Sequence, residues 1–279
     1  MALVPFSNQA ADTALAEDDL DGDWPSGGSG GGKMSFLEHL DELRKRIVRA
    51  LLFLIGGFAV CIFFVQQIFD FIMQPMQALL PEGQQQLVYT EPGEAFILKI
   101  KMAAIGGLIL SSPGIMSQVW LFIAPGLYSK EKKLAIPFVV LSSGFFVLGA
   151  AFSHYMVFPL TWKFFASFSG DYLTFMPRIA PAFSMYLKLL LGMGLVFQMP
   201  TLVLFLARMG VLTARFMLKN FKYAFLLIFV VAAFLTPGGD PISQAAMAAP
   251  MLLLYGISIL LAWIFGKKQT VPDDDLGED

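Results

Sequence analysis

The chain has 279 residues, 57% of them apolar and 14% charged, with 28 phenylalanines, which excludes an ordinary soluble domain and points to an integral membrane protein. Its formal charge of −2 conceals a segregation: six acids lie in residues 1–33 and five in the last seven residues, and setting those eleven aside leaves ten acids against all 19 bases. A single cysteine, Cys61, excludes a disulfide framework and a cysteine metal site, and is expected to be a small packing residue.

Residues 1–33 include WPSGGSGGGK, a flexible linker by composition. Neither this stretch nor residues 269–279 has the apolar periodicity that buries a core, so both are expected to be disordered acidic tails around a membrane domain at 34–268. The GGSGG of 27–31 matches a nucleophile-elbow pattern but has no strand before it or helix after it. The first arginine is Arg44, which argues against a basic secretory signal or an Arg-rich transit peptide at the start.

SFLEHLDELRKRI follows at 35–47. Ser35 and Glu38 form a capping box, and Phe36, Leu40, Leu43 and Ile47 make one apolar stripe, predicting an amphipathic helix that runs into the first span. Asp41 with Lys45 and Glu42 with Arg46 are acid-first i,i+4 pairs, enough by pattern to account for a solvated, anchoring face.

A window of about 20 apolar residues predicts six spans. They cover roughly Ile47–Phe69, Phe96–Trp120, Leu134–Met156, Phe183–Ala207, Tyr223–Leu235 and Gln244–Phe265, the fifth being short. Fourteen bases flank the side of the termini, among them Arg44, Lys45, Arg46, Arg49, Lys130, Lys132, Lys133, Arg208 and Arg215, against four on the other, so both termini are expected to be cytoplasmic. Pro113, Pro125, Pro137, Pro159, Pro200, Pro237, Pro241 and Pro250 at or within the spans predict bent helices.

Catalysis has little to stand on. The two histidines, His39 and His154, belong to no metal-binding or phosphate-cradling motif. His154 beside Ser153 leaves an intramembrane hydrolase formally open, but adjacent helical residues do not face each other, and an interfacial polar role is expected for His154. In the fourth span Lys188 either snorkels to the outer interface or acts functionally, while Gln198, before Pro200, is expected to face protein or a wet cavity. Between the tails the cytoplasmic side holds only Glu38, Asp41, Glu42 and Glu131, scarce partners for any cationic ligand arriving there. A secondary transporter is the rival reading, but no internal repeat between halves supports it.

QVWLFIAPGLYSKEKK (118–133), with HLDELRKR (39–46), QPMQALLPEG (74–83), VFPL (157–160) and LTPGGDPISQ (235–244), resembles the TatC family, the multispanning signal-peptide receptors of the twin-arginine protein translocase. The resemblance covers about 34–268. It implies an all-α integral membrane protein of six kinked transmembrane helices in a cupped-hand bundle, in the bacterial inner membrane. It implies export of folded proteins bearing paired-arginine signal peptides, driven by the proton-motive force, with TatA-type and TatB-type single-span partners, contact with membrane lipid and self-association in a larger complex. No enzyme activity, cofactor, metal or nucleic-acid partner is expected. Carried onto matching positions, Glu42 and Glu131 would receive guanidinium groups, and Arg44 and Phe122 would shape that site. Thr236, Gln244 and Gln198 would lie where partner subunits dock. Two departures stand out: Gln198 where the family commonly has glutamate, and TPGGDP where TPPDP is more usual.

Overall fold

The computed structural model describes residues 36–78, 87–123, 135–170, 172, 175–236 and 241–266. The expected tails, Ser35, the loop carrying Glu131 and residues 237–240 of the TPGGDP turn lie outside them. The chain divides into two compact units, Met1–Asp41 and Glu42–Asp279. The described part of the first is the opening of helix α1 (Phe36–Phe63). Among the described residues the structure is helical, with an isolated bridge between Val88 and Arg178 instead of a strand.

The amphipathic segment and the first span form one helix of 28 residues, longer at its start than the predicted span and shorter at its end. The helix breaks at Phe64 and restarts as α2 (Val65–Ala78), which buries Ile72, Met73 and Met76. Helix α3 (Glu94–Ile123) runs for 30 residues with Pro113 inside it. Helix α4 (Ala135–Phe152) passes into a π-helical turn, Ser153–Val157, and then into α5 (Phe158–Ala166). The turn has a local cause. Pro159 offers no amide and its ring crowds the carbonyl four residues back, so the chain widens by one residue, and the Phe158 amide bonds the Ser153 oxygen.

The predicted fourth span is two helices, α6 (Ile179–Val196) and α7 (Met199–Arg208), joined by a turn at Phe197 and Gln198 just before Pro200. Helix α7 ends at Gly210, whose φ of 79° suits glycine, with the Val211 amide closing back on Leu206. Helix α8 (Ala214–Lys219) is capped by Thr213, whose hydroxyl accepts from the Phe216 amide. Helices α9 (Phe221–Leu235) and α10 (Pro241–Phe265) complete the order.

Among the described residues, five helical stretches are long and apolar enough to cross a membrane: Leu37–Phe63, Glu94–Ile123, Ile136–Ala166, Ile179–Arg208 and Pro241–Phe265. The predicted fifth span is the shorter α9, whose 15 residues reach about 22 Å at the helical rise. Within the second unit, α4 packs against α3 and α6, and α10 packs against α7 and α9. Tyr186, Phe158, Phe183, Met76, Met102, Leu189, Met193 and Met251 fill the core.

Candidate functional site

Polar side chains cluster at three levels of this bundle. At the first, Glu42 and Arg46 form the predicted pair, with Arg46 Nη2 donating to Glu42 Oε1 at 3.0 Å and each side chain 19% exposed. The other carboxylate oxygen, Oε2, is buried and has no hydrogen-bond partner among the described residues. Arg44, two residues on, is exposed. Phe122 lies half-buried in the last turn of α3, and Glu131 falls outside the described residues.

The crossing of α1 and α3 sets the relation between Glu42 and Phe122. A methyl group added at Gly57 would lie 2.5 Å from the Gly107 oxygen, and Phe53 packs over Gly114 while Cys61 meets Gly106. Rising numbers on α1 therefore meet falling numbers on α3, so the helices run antiparallel. Glu42 and Phe122 are each 15 positions from the Gly57–Gly107 contact, toward the same end, and so stand at about the same level, roughly 22 Å from the crossing.

At the second level, Gln198 is half-buried in the turn between α6 and α7. Its Nε2 donates to the Ser142 carbonyl at 3.1 Å and the Gly194 carbonyl at 3.5 Å, so it faces protein and links α4 to α6. The Ser142 hydroxyl accepts from Trp120 Nε1 at 2.6 Å, within a cluster of Trp120, Phe138 and Phe205.

At the third level, Thr236 caps α9 and is buried, its hydroxyl donating to Ala232 O at 2.8 Å. Gln244 Nε2 donates to the Phe229 carbonyl at 2.8 Å and staples α10 to α9. The neighbouring Phe234 and Ile242 are exposed. Lys188 resolves toward α9, its ammonium 5.0 Å from the centre of the Phe234 ring.

Two residues are read differently by the structure than by the sequence. His154 is buried within the protein: it is 4% exposed, with Nδ1 3.0 Å from the Tyr186 hydroxyl and Phe71 stacked 4.3 Å from its ring. Its aromatic neighbours come from α2 and α6, which its own sequence context does not reveal. The second residue is Glu94. Its carboxylate accepts from the amides of Thr90 at 3.0 Å and Ala180 at 2.9 Å, tying the starts of α3 and α6 together. An acid in the first turn of a span is the signal for such a tie.

A helical, multi-pass membrane protein is what these elements define, with polar clusters at helix ends and breaks and no metal-binding group of His, Cys, Asp or Glu among the described residues. Its kin are specific. The family model for Sec-independent protein translocase protein (TatC) matches residues 38–250. The TatC protein of Koribacter versatilis is 43% identical over 84% of this chain and 87% of its own length. That of Desulforapulum autotrophicum is 39% identical over 88% and 91%. A crystal structure of the twin-arginine translocase receptor TatC superposes with a TM-score of 0.70 at 35% identity, covering 81% of this chain and 98% of that one. The chain belongs to the TatC family, subunits of the Sec-independent protein translocase, and is a multi-pass protein of the inner membrane.

Proposed function

We propose that this chain is the signal-peptide receptor of its translocase, with six spans and both termini cytoplasmic. Glu42 and Glu131 receive the paired arginines of a signal peptide, and Arg44 and Phe122 shape the site. The observation that carries this reading is the second carboxylate oxygen of Glu42, which is buried and left without a partner while the first holds Arg46. A buried acceptor in that state gains most from a guanidinium, whose planar fork matches a carboxylate. The surrounding Arg44, Lys45, Arg46 and Arg49 repel a cation at range, so recognition acts at short distance.

On this reading folded cargo follows the peptide across the membrane with TatA-type and TatB-type subunits and the proton-motive force. The partners dock beside α9 and α10, where Thr236 and Gln244 shape the helix ends and Gln198 sets the bend of the neighbouring span. The membrane domain is 34–268, with residues 1–33 and 269–279 as acidic tails.

Photo-crosslinking a paired-arginine signal peptide to the protein in membranes tests the site. Labelling is expected to fall at least tenfold in Glu42→Ala and in Glu131→Ala, as loss of a charge-assisted contact of about 1.5–3 kcal/mol requires. Unchanged labelling in both variants overturns the assignment.

A further inference from the structure

The start of α3 forms a second polar site, away from Glu42. A pocket of about 180 Å³ is lined there by Glu91, Glu94, Lys101, Arg178, Leu98 and Phe183, among others. Leu98 and Phe183 are buried and make an apolar floor, and Glu91, Lys101 and Arg178 stand exposed around it. Both signs of charge face one small space. Arg178 acts electrostatically on Glu94, but Glu91 and Lys101 make no ion pair or side-chain hydrogen bond among the described residues. Glu94 is already committed to the Thr90, Glu91 and Ala180 amides, and one Arg178 nitrogen donates to Thr90 Oγ1. The unspent groups are the Glu91 carboxylate, the Lys101 ammonium and the rest of the Arg178 guanidinium.

Their order along the helix carries the argument. Glu91 precedes the first turn of α3, and Lys101 sits seven residues beyond Glu94, about 10 Å further into the span. Any spanning helix begins at a membrane interface, so Glu91 lies on the water side and Lys101 on the lipid side for either orientation of the chain, while Arg178, bonded to Thr90, stays near the level of Glu91. A phospholipid with an ethanolamine headgroup presents the same order with opposite signs, ammonium toward water and phosphate toward its acyl chains. Lys101, on a flexible stem, reaches back toward the interface to meet the phosphate.

We propose that this pocket binds a phospholipid whose headgroup carries both a phosphate and a primary ammonium, the phosphate on Lys101 and the ammonium on Glu91. Ile97, exposed next to Leu98, continues the apolar floor toward the acyl chains. The site selects for headgroup type because Glu91 repels an anionic headgroup, and a quaternary ammonium has no N–H to donate to it.

Native mass spectrometry of the full chain in detergent, titrated with phosphatidylethanolamine, phosphatidylglycerol and phosphatidylcholine of the same acyl chains, tests it. Wild type is expected to take up phosphatidylethanolamine roughly tenfold more tightly than either of the others. Glu91→Gln erases that preference while phospholipid still binds, Glu91→Lys turns it toward phosphatidylglycerol, and Lys101→Gln weakens all three. Both side chains are exposed, and circular dichroism checks that the variants keep wild-type helicity. Equal uptake of the three lipids by wild type, or an unchanged preference in Glu91→Gln, overturns the proposal. Signal-peptide crosslinking at Glu42 is independent of either outcome.

Discussion

Gln198 Nε2 can only donate, and the atoms it faces, the carbonyl oxygens of Ser142 and Gly194, can only accept. A glutamate here must either set a carboxylate against two carbonyls or carry a proton in the membrane interior. Gln198→Glu is therefore expected to lower stability by about 1–3 kcal/mol, and Gln198→Met by about 1 kcal/mol or less, because methionine removes the donor without adding an unsatisfied charge. Thermal unfolding in detergent, followed by circular dichroism, checks that ranking. A Gln198→Glu variant as stable as wild type would overturn that ranking. The position is legible in sequence as a polar residue before a proline. Its partner is not, because Ser142 lies 56 residues away on another helix.

At Gly57 and Gly107, helix α1 meets α3 through backbone rather than side chains. A methyl group at Gly107 would lie 2.6 Å from the Phe58 amide nitrogen and 2.9 Å from the Gly57 carbonyl carbon, neither of which can swing aside. At Gly114 the obstacle is the Phe53 ring, the mobile end of a side chain, at 2.6 Å. Gly56, one residue from the crossing, has nothing within 4 Å of an added methyl. Gly107→Ala is expected to cost roughly 1–3 kcal/mol through overpacking, with Gly114→Ala costing less. Gly56→Ala should raise stability by about 0.5–1 kcal/mol, since alanine holds a helix better than glycine. Melting temperatures of the three variants decide whether the crossing is as tight as the backbone indicates. In sequence these glycines are indistinguishable, because the distinction is which face each turns toward α3.

For the molecule as a whole, the distribution of basic residues predicts which side of the membrane each loop faces. The lone cysteine simplifies the measurement: Cys61 is buried and should stay silent to a membrane-impermeant thiol reagent. Tyr172 and Val211 are both exposed, in the segments after α5 and after α7. In right-side-out vesicles Tyr172→Cys is expected to label and Val211→Cys to label only after permeabilisation; the reverse pattern would overturn the cytoplasmic placement of the termini. A long-range tie constrains the same architecture. Glu94→Ala leaves the starts of α3 and α6 without their shared acceptor and is expected to destabilise the protein more than Thr90→Val, which removes only the acceptor for Arg178. Unfolding midpoints of the two variants compare these losses.

The sequence by itself determined the five long spanning helices, the amphipathic start of α1 with its Glu42–Arg46 pair, the short α9 and a bend near Pro200, though not that the bend divides the span into two helices. Each depends on hydrophobic run length or on neighbours within four residues, and a chain in lipid must satisfy its backbone locally. Only the tertiary structure decided which glycines cross, that His154 is buried against Tyr186 and Phe71, that Gln198 spends its amide on α4, and that Glu94 serves two helices. Those contacts join residues dozens of positions apart, and their geometry depends on how helices of similar apolar character pack, which composition and periodicity do not encode.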